Sequence, residues 1–221
     1  MANLFDILGP SMIGPSSSHT AGASRLGFVA QSLVGGPPER AAIRLHGSFA
    51  MTGEGHGTKR ALIGGLLGLR PDDPALRDSI ERATAAGLEF SFSTVDLGPE
   101  AHPNTAVISV VRGDMETTVR GCSIGGGRIL IQDIDGMAVA LTGTLPTVVV
   151  VADDVPGTIA DIAGMFADRE LNLATMRVDR TGRGERALMT IESDGPIPED
   201  LAGALSGKPW VHWVRAIARL D

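Results

Sequence analysis

Apolar residues recur with two different periods along this chain, and the clearest stretch lies towards its C-terminal end. Thr147-Val148-Val149-Val150-Val151-Ala152 is a β-branched run suited to a buried strand. Asp153-Asp154-Val155-Pro156-Gly157 breaks it with turn-forming residues. Ile159, Ile162, Ala163 and Phe166 then stand at i, i+3, i+4 and i+7, which predicts a helix with one apolar stripe ending near Arg169. Leu173 to Val178 predicts a second strand and Thr181-Gly182-Arg183-Gly184 a turn. The alternation of Ala187, Met189 and Ile191 predicts a third strand, paired with the second as a hairpin. Pro198 opens a short helix through Leu205, Gly207 and Pro209 stop it, and Trp210 to Leu220 reads as a closing strand. The predicted order is βαββαβ.

That order is a ferredoxin-like split unit. The first part of the chain is less regular. A Ser-rich loop leads into a helix whose Leu26, Val29, Ala30 and Leu33 share a face, and Gly35-Gly36-Pro37-Pro38 ends it. Ile43 to Ala50 reads as a strand, followed by a Gly-rich turn and helices from about Thr58 to Leu67 and Ala75 to Ala86, the second with Leu76, Ile80 and Ala83 on one face. Strands are predicted at Leu88 to Leu97, Thr105 to Arg112, Met115 to Cys122 and Arg128 to Asp133. The fold class expected is therefore α+β, with a mixed, mostly antiparallel N-terminal domain at 1–144 and the βαββαβ domain at 145–221. The short linker at Gly143 to Pro146 suits docked rather than freely tethered parts.

Length agrees with two domains, since 221 residues exceed the usual domain size of ~100–150. Hydrophobic residues at 43% and charged residues at 20% supply real cores and argue against disorder. A net charge of -7 offers no basic stripe for phosphates, so nucleic acid is excluded as a partner and a small polar metabolite is favoured. Thr147 to Ala152 is far shorter than the ~20 apolar residues of a membrane helix, and MANLFDIL lacks a basic leader region. The expectation is a cytoplasmic protein with no membrane association. Cys122 is the single cysteine, so neither an internal disulfide nor a thiolate metal cage can be built within the chain.

Three polar turns are candidates for chemistry. In Gly14-Pro15-Ser16-Ser17-Ser18-His19-Thr20, consecutive hydroxyls and backbone N–H groups converge where a helix starts, a place that favours a carboxylate and disfavours a charged imidazole. His19 would there be able to accept a proton. The plain alternative is a serine cap followed by a first-turn histidine. Gly53-Glu54-Gly55-His56-Gly57-Thr58 presents a second imidazole before a helix, or is simply a glycine-rich connector. His102-Pro103-Asn104-Thr105 is a weaker third. Gly125-Gly126-Gly127 reads as a tight turn or bulge rather than a phosphate loop, because no Lys-Ser/Thr pair follows. Cys122, Trp210 and Trp213 read as packing residues.

The combination of NLFDILGPSMIGPSSSHT, HGSFAMTGEGHGT, HPNT and CSIGGG, in that order, with a C-terminal module of the ACT type, resembles the β subunit of two-subunit, iron–sulfur-dependent L-serine dehydratases. The resemblance implies an N-terminal domain like the allosteric substrate-binding domain of some phosphoglycerate dehydrogenases. It implies a lyase acting on L-serine to give pyruvate and ammonia, with a [4Fe–4S] cluster held by a separate α subunit. Carried over, His19 matches the proposed catalytic base and His56 a second motif histidine. Ser16, Ser17, Ser18, Thr20 and Asn104 match substrate-binding or anion-binding positions, and no metal ligand falls in this chain. Asp154, Val155, Pro156, Gly157 and Asn172 match the effector-binding turn and strand start of ACT modules. Such modules usually pair side by side, so a homodimer through this part is implied, whether for sensing serine or for assembly alone. The rival function is a non-catalytic amino-acid or anion sensor that regulates another enzyme.

Overall fold

The computed structural model describes residues 11–52, 55 and 57–220. By contacts the chain divides into two compact units, Met1–Gly136 and Met137–Asp221.

In the first unit a π-helical turn at Ser17–Gly22 runs directly into α1 (Ala23–Val34). There follow β1 (Arg40–Leu45), α2 (Gly47–Thr52), α3 (Thr58–Leu66), a 3-10 turn (Pro74–Asp78) and α4 (Ser79–Ala85). The remaining strands are β2 (Glu89–Thr94), β3 (Thr105–Arg112), β4 (Met115–Gly125) and β5 (Arg128–Ile134). They lie in the order β2-β1-β3-β4-β5, with β1 and β2 parallel and the other pairs antiparallel. Ile43 stands opposite Ile108, Ile108 opposite Val119, and Val119 opposite Ile134, so one row of buried side chains crosses the sheet. The helix α1 covers that face. A Cβ added at Gly121 would sit 2.7 Å from the Leu26 side chain, so a larger residue would push the helix off the sheet.

Helices α1 and α3 pack at backbone distance, through glycines on both. A Cβ at Gly65 would meet the Ser24 carbonyl oxygen at 2.0 Å, and one at Gly27 the Leu62 carbonyl oxygen at 2.2 Å. The turn before α1 is joined to α3 as well, since His19 Nδ1 and the Thr58 hydroxyl are 2.8 Å apart. This places the turn before α1 beside the first residue of α3.

The strand predicted from Ile43 to Ala50 stops at Leu45, and Gly47–Thr52 is a short helix instead. Gly47, at φ 55°, presses on the backbone of Pro103, turning the chain so that Phe49 is fully buried. The predicted helix from Ala75 to Ala86 is split. Asp73 accepts from the Ala75 N–H at 2.8 Å and starts a 3-10 turn, and α4 begins afresh at Ser79. The three glycines form the β4–β5 hairpin: Gly125 pairs with Arg128, and Gly126 and Gly127, at φ 61° and 76°, make a turn open only to residues tolerant of positive φ.

The second unit opens with β6 (Met137–Leu141), a strand that sequence patterning did not predict. Then come β7 (Thr147–Asp153), α5 (Thr158–Ala167), β8 (Leu173–Arg180), β9 (Arg186–Ser193), α6 (Glu199–Ser206) and β10 (Val211–Ile217). The sheet order β10-β7-β9-β8, antiparallel throughout, is the βαββαβ arrangement expected. Val148, Val150 and Met189 on one face pack with Ile162 and Phe166 of α5 and Leu201 and Leu205 of α6. Ile159, predicted on the apolar stripe, is 49% exposed. Gly157, at φ 98°, sets the start of α5 so that Thr158 turns inward with Ile162 and Phe166, its hydroxyl donating to the Val155 carbonyl at 3.0 Å. Leu220 N–H donates to the Gly143 carbonyl at 2.9 Å, tying the linker to the last residues described.

Candidate active site

Of the residues predicted to carry chemistry in the first unit, those described gather around the turn that precedes α1. Ser16 has extended backbone, and its hydroxyl accepts from the His19 N–H at 3.3 Å, so it caps the turn. Its carbonyl accepts from the Thr20 N–H at 2.8 Å. Ser16, Ser17 and Ser18 are half-buried, while His19 and Thr20 are buried. Wide π turns of this kind are uncommon, and they frequently mark functional positions.

The imidazole of His19 is held from three segments. Its Nδ1 and the Thr58 hydroxyl share a buried hydrogen bond of 2.8 Å, and the Ser48 hydroxyl lies 3.4 Å from Nε2. Phe49 meets the ring edge-on, with centroids 5.1 Å apart. Thr58 opens α3 and Ser48 lies in α2, so the backbone contact of α1 with α3 fixes where this imidazole stands. Neither hydroxyl is a predicted site residue. Thr58 ends a motif that sequence does flag, but Ser48 sits in a segment whose alternation imitates a strand.

The HPNT turn joins the same neighbourhood through β4. Asn104 N–H donates to His102 Nδ1 at 3.1 Å, and its carboxamide lies 3.5 Å from the Ser123 carbonyl, so it braces β3 against β4. Ser123 in turn abuts the π turn, where a Cβ at Gly22 would come within 2.1 Å of its hydroxyl. The Thr20 and Ser123 hydroxyls are buried without a hydrogen-bond partner among the described residues. His56 lies outside the described residues. Beside the π turn a cavity of about 260 Å³ opens, walled by Gly14, Thr20, Gly57, Arg60, Leu76 and Arg77 among others.

In the second unit, Asp154 accepts from the Gly184 N–H at 3.0 Å and from Arg180 Nη1 at 3.1 Å. The Gly184 N–H first, then Arg180, hold its carboxyl below the usual range. The carboxylate thus pins the β7–α5 turn to the β8–β9 hairpin. A lowered folded pKa means that this stabilisation is present above the unfolded carboxylate pKa and is lost as pH falls through the folded value. Asp154→Asn is expected to lower the melting temperature slightly at neutral pH, and thermal melts across pH should show the difference from wild type closing in acid.

Val155, Pro156 and Gly157 are exposed on that turn. Asn172 donates to Asp194 at 2.6 Å, at the opposite end of the eight-residue strand β8. At ~3.3 Å per residue, roughly 25 Å separates it from the Asp154 turn, so one chain does not bring these residues together.

Known proteins give the context for this arrangement. Residues 2–94 match the family model for the serine dehydratase beta chain, and residues 147–207 match that for the ACT domain. The chain is 45% identical to a probable L-serine dehydratase, beta chain, of Bacillus subtilis, covering 98% of both. It is 39% identical to the L-serine dehydratase, beta chain, of Peptoniphilus asaccharolyticus, covering 92% of both. Likeness to a D-3-phosphoglycerate dehydrogenase of Bacillus subtilis is weaker, at 26% identity over 88% of this chain and 37% of that one. With a buried, triply held histidine in the SSSHT turn and near end-to-end likeness to two β chains, this chain belongs to the L-serine dehydratase β-chain family and carries an ACT domain.

Proposed function

We propose that this chain is the β subunit of an L-serine ammonia-lyase, and that His19 takes the α-proton of serine. The observation that carries the assignment is the His19 ring, fixed by Thr58 and flanked by Ser48 and Phe49 where three segments converge. Loss of the α-proton and the β-hydroxyl as water leaves aminoacrylate, whose imine tautomer hydrolyses to pyruvate and ammonia. Removal of the first proton asks for a base held within hydrogen-bond reach, and a neutral imidazole meets that need. Ser16, Ser17, Ser18, Thr20 and Asn104 are assigned to substrate contact and support.

A [4Fe–4S] cluster does not fit this chain's donor set. Cys122, 2% exposed, has its thiol pushed up by burial, and no three of His, Cys, Asp or Glu come together among the described residues. We therefore assign the cluster to a separate α chain, which this one completes. No helix among the described residues is long and apolar enough to cross a membrane, and a cytoplasmic location is proposed. The functional modules are taken to divide at 144/145. Anaerobic co-purification with an α chain should give a coloured complex that forms pyruvate from serine. A colourless complex, inactive after reconstitution with iron and sulfide, would favour the sensor reading.

The second unit is proposed to pair with its copy. Strand β8 is an edge, Val178 on it is 37% exposed, and Val155 and Ile159 nearby in sequence to the effector turn are 42% and 49% exposed. Antiparallel pairing of two β8 strands about a two-fold axis would carry Asn172 of one protomer towards the 154–157 turn of its partner, joining residues that a single chain keeps apart. Val178→Lys should halve the mass seen by sedimentation with little change in melting temperature. An unaltered mass would count against pairing through β8.

A further inference from the structure

The cavity beside the π turn has a polar wall that the reading so far leaves unused. Arg60 on α3 and Arg77 in the 3-10 turn both line it, and neither guanidinium is ion-paired with a described residue. Thr20 lines the same space. It is 3% exposed, and its hydroxyl has no partner among the described residues. A buried hydroxyl is ordinarily satisfied, so an unsatisfied one on a residue that lines a cavity points to a group that arrives with a ligand. Gly14 keeps this corner open, since a Cβ there would stand 2.2 Å from the Thr20 oxygen.

Two cations and one hydroxyl select an anion, and a guanidinium's paired N–H groups match the two oxygens of a carboxylate. The volume of about 260 Å³ is several times the ~30 Å³ share of a water, enough for a three-carbon amino acid rather than a bare ion. Ile13, Ala61 and Leu76 supply apolar wall for its carbon atoms. The cavity also adjoins the proposed base by two covalent routes. Thr20 follows His19 directly, and Thr58, which bonds the imidazole, lies between the lining residues Gly57 and Arg60.

We propose that Arg60, Arg77 and Thr20 form a clamp for the α-carboxylate of the amino-acid substrate. The clamp rests on the lyase reading for the identity of its ligand, but its test does not need turnover. L-Alanine has the carboxylate and amine of serine without a leaving group, and L-alaninamide lacks the carboxylate. Both are titrated calorimetrically into the anaerobic α–β complex. Arg60→Gln and Arg77→Gln should each weaken L-alanine binding on the order of 10- to 100-fold and leave L-alaninamide unaffected. Thr20→Val should have a smaller effect in the same direction. In turnover, KM for serine should rise by a similar factor while kcat stays within about threefold.

Both arginines are exposed, so the variants should fold, and melting curves check that they do. L-Alanine affinity within twofold of wild type in both arginine variants, or no L-alanine binding by the wild-type complex, overturns the clamp. If pyruvate forms with an unchanged KM in those variants, the clamp falls and the lyase reading stands. If alanine binding responds as expected in a complex that forms no pyruvate, the clamp stands and the lyase reading falls.

Discussion

His19→Ala in the assembled α–β complex is expected to lower serine turnover by ~10²-fold or more, with the β chain still folded. The expectation follows from how the ring is held. A histidine serving only as packing would need the Phe49 contact but no matched hydroxyls, whereas this one has Thr58 on Nδ1 at 2.8 Å and Ser48 by Nε2 at 3.4 Å. The bond to Thr58 orients the ring and biases the proton between its two nitrogens, as orienting partners of catalytic imidazoles do. His19→Gln is the companion variant. It retains a polar group near Thr58 without an imidazole's proton affinity, so it should be as inactive as the alanine variant while disturbing the packing less. Initial rates with saturating serine, together with thermal melts, decide the matter. Near-normal rates in either variant, with an unchanged melt, would remove His19 from the role of base.

Gly65→Ala is the second change with a large expected effect, although Gly65 is not itself a proposed site residue. Its new Cβ would lie 2.0 Å from the Ser24 carbonyl oxygen and 2.7 Å from the Phe28 nitrogen, both backbone atoms of α1. Backbone cannot swing aside as a flexible side chain can, so α1 and α3 must separate. Overpacking of this kind costs about 1–3 kcal/mol or more. At roughly 2–4 °C per kcal/mol for a chain of this size, the first unit should melt several degrees earlier. Turnover should fall with it, because the His19–Thr58 bond joins the turn that leads into α1 to the first residue of α3. Gly203→Ala on α6 is the control, since nothing lies within 4 Å of a Cβ there and the change should be neutral or stabilising. An unaffected melt in Gly65→Ala would show that the helix contact is more forgiving than its distances indicate.

The second unit was the more legible in sequence because its pairings are local or strongly patterned. A run of valines and the alternation at Ala187, Met189 and Ile191 each define a strand without reference to distant residues. Even there Ile159 was misplaced, because the turn at Gly157 sets the rotation of the helix and periodicity alone does not. In the first unit, HGSFAM alternates like a strand, and only the close approach of Gly47 to Pro103 shows why the chain turns into a helix. The strand Met137–Leu141 alternates between buried and exposed positions, but two of its five residues are alanines that mute the signal.

The site followed the same rule. The Ser16 to Thr20 stretch stands out as a motif, and so does the glycine-rich turn ending in Thr58. That they meet does not, because the bond from His19 to Thr58 joins residues 39 apart and depends on how two helices pack. Arg60 and Arg77 carry no local signature at all, and Ser48, although inside HGSFAMTGEGHGT, reads there as part of a strand. Their relevance comes from where the fold puts them.

The most direct test of the account is an anaerobic single-turnover experiment with the cluster-bearing α chain, measuring pyruvate formed from L-serine with and without this chain and with its His19→Gln variant. Pyruvate is expected only when α and the wild-type chain are both present. Equal pyruvate from the α chain alone, or from α with the variant, would contradict it and leave this protein a regulatory partner rather than part of the active site.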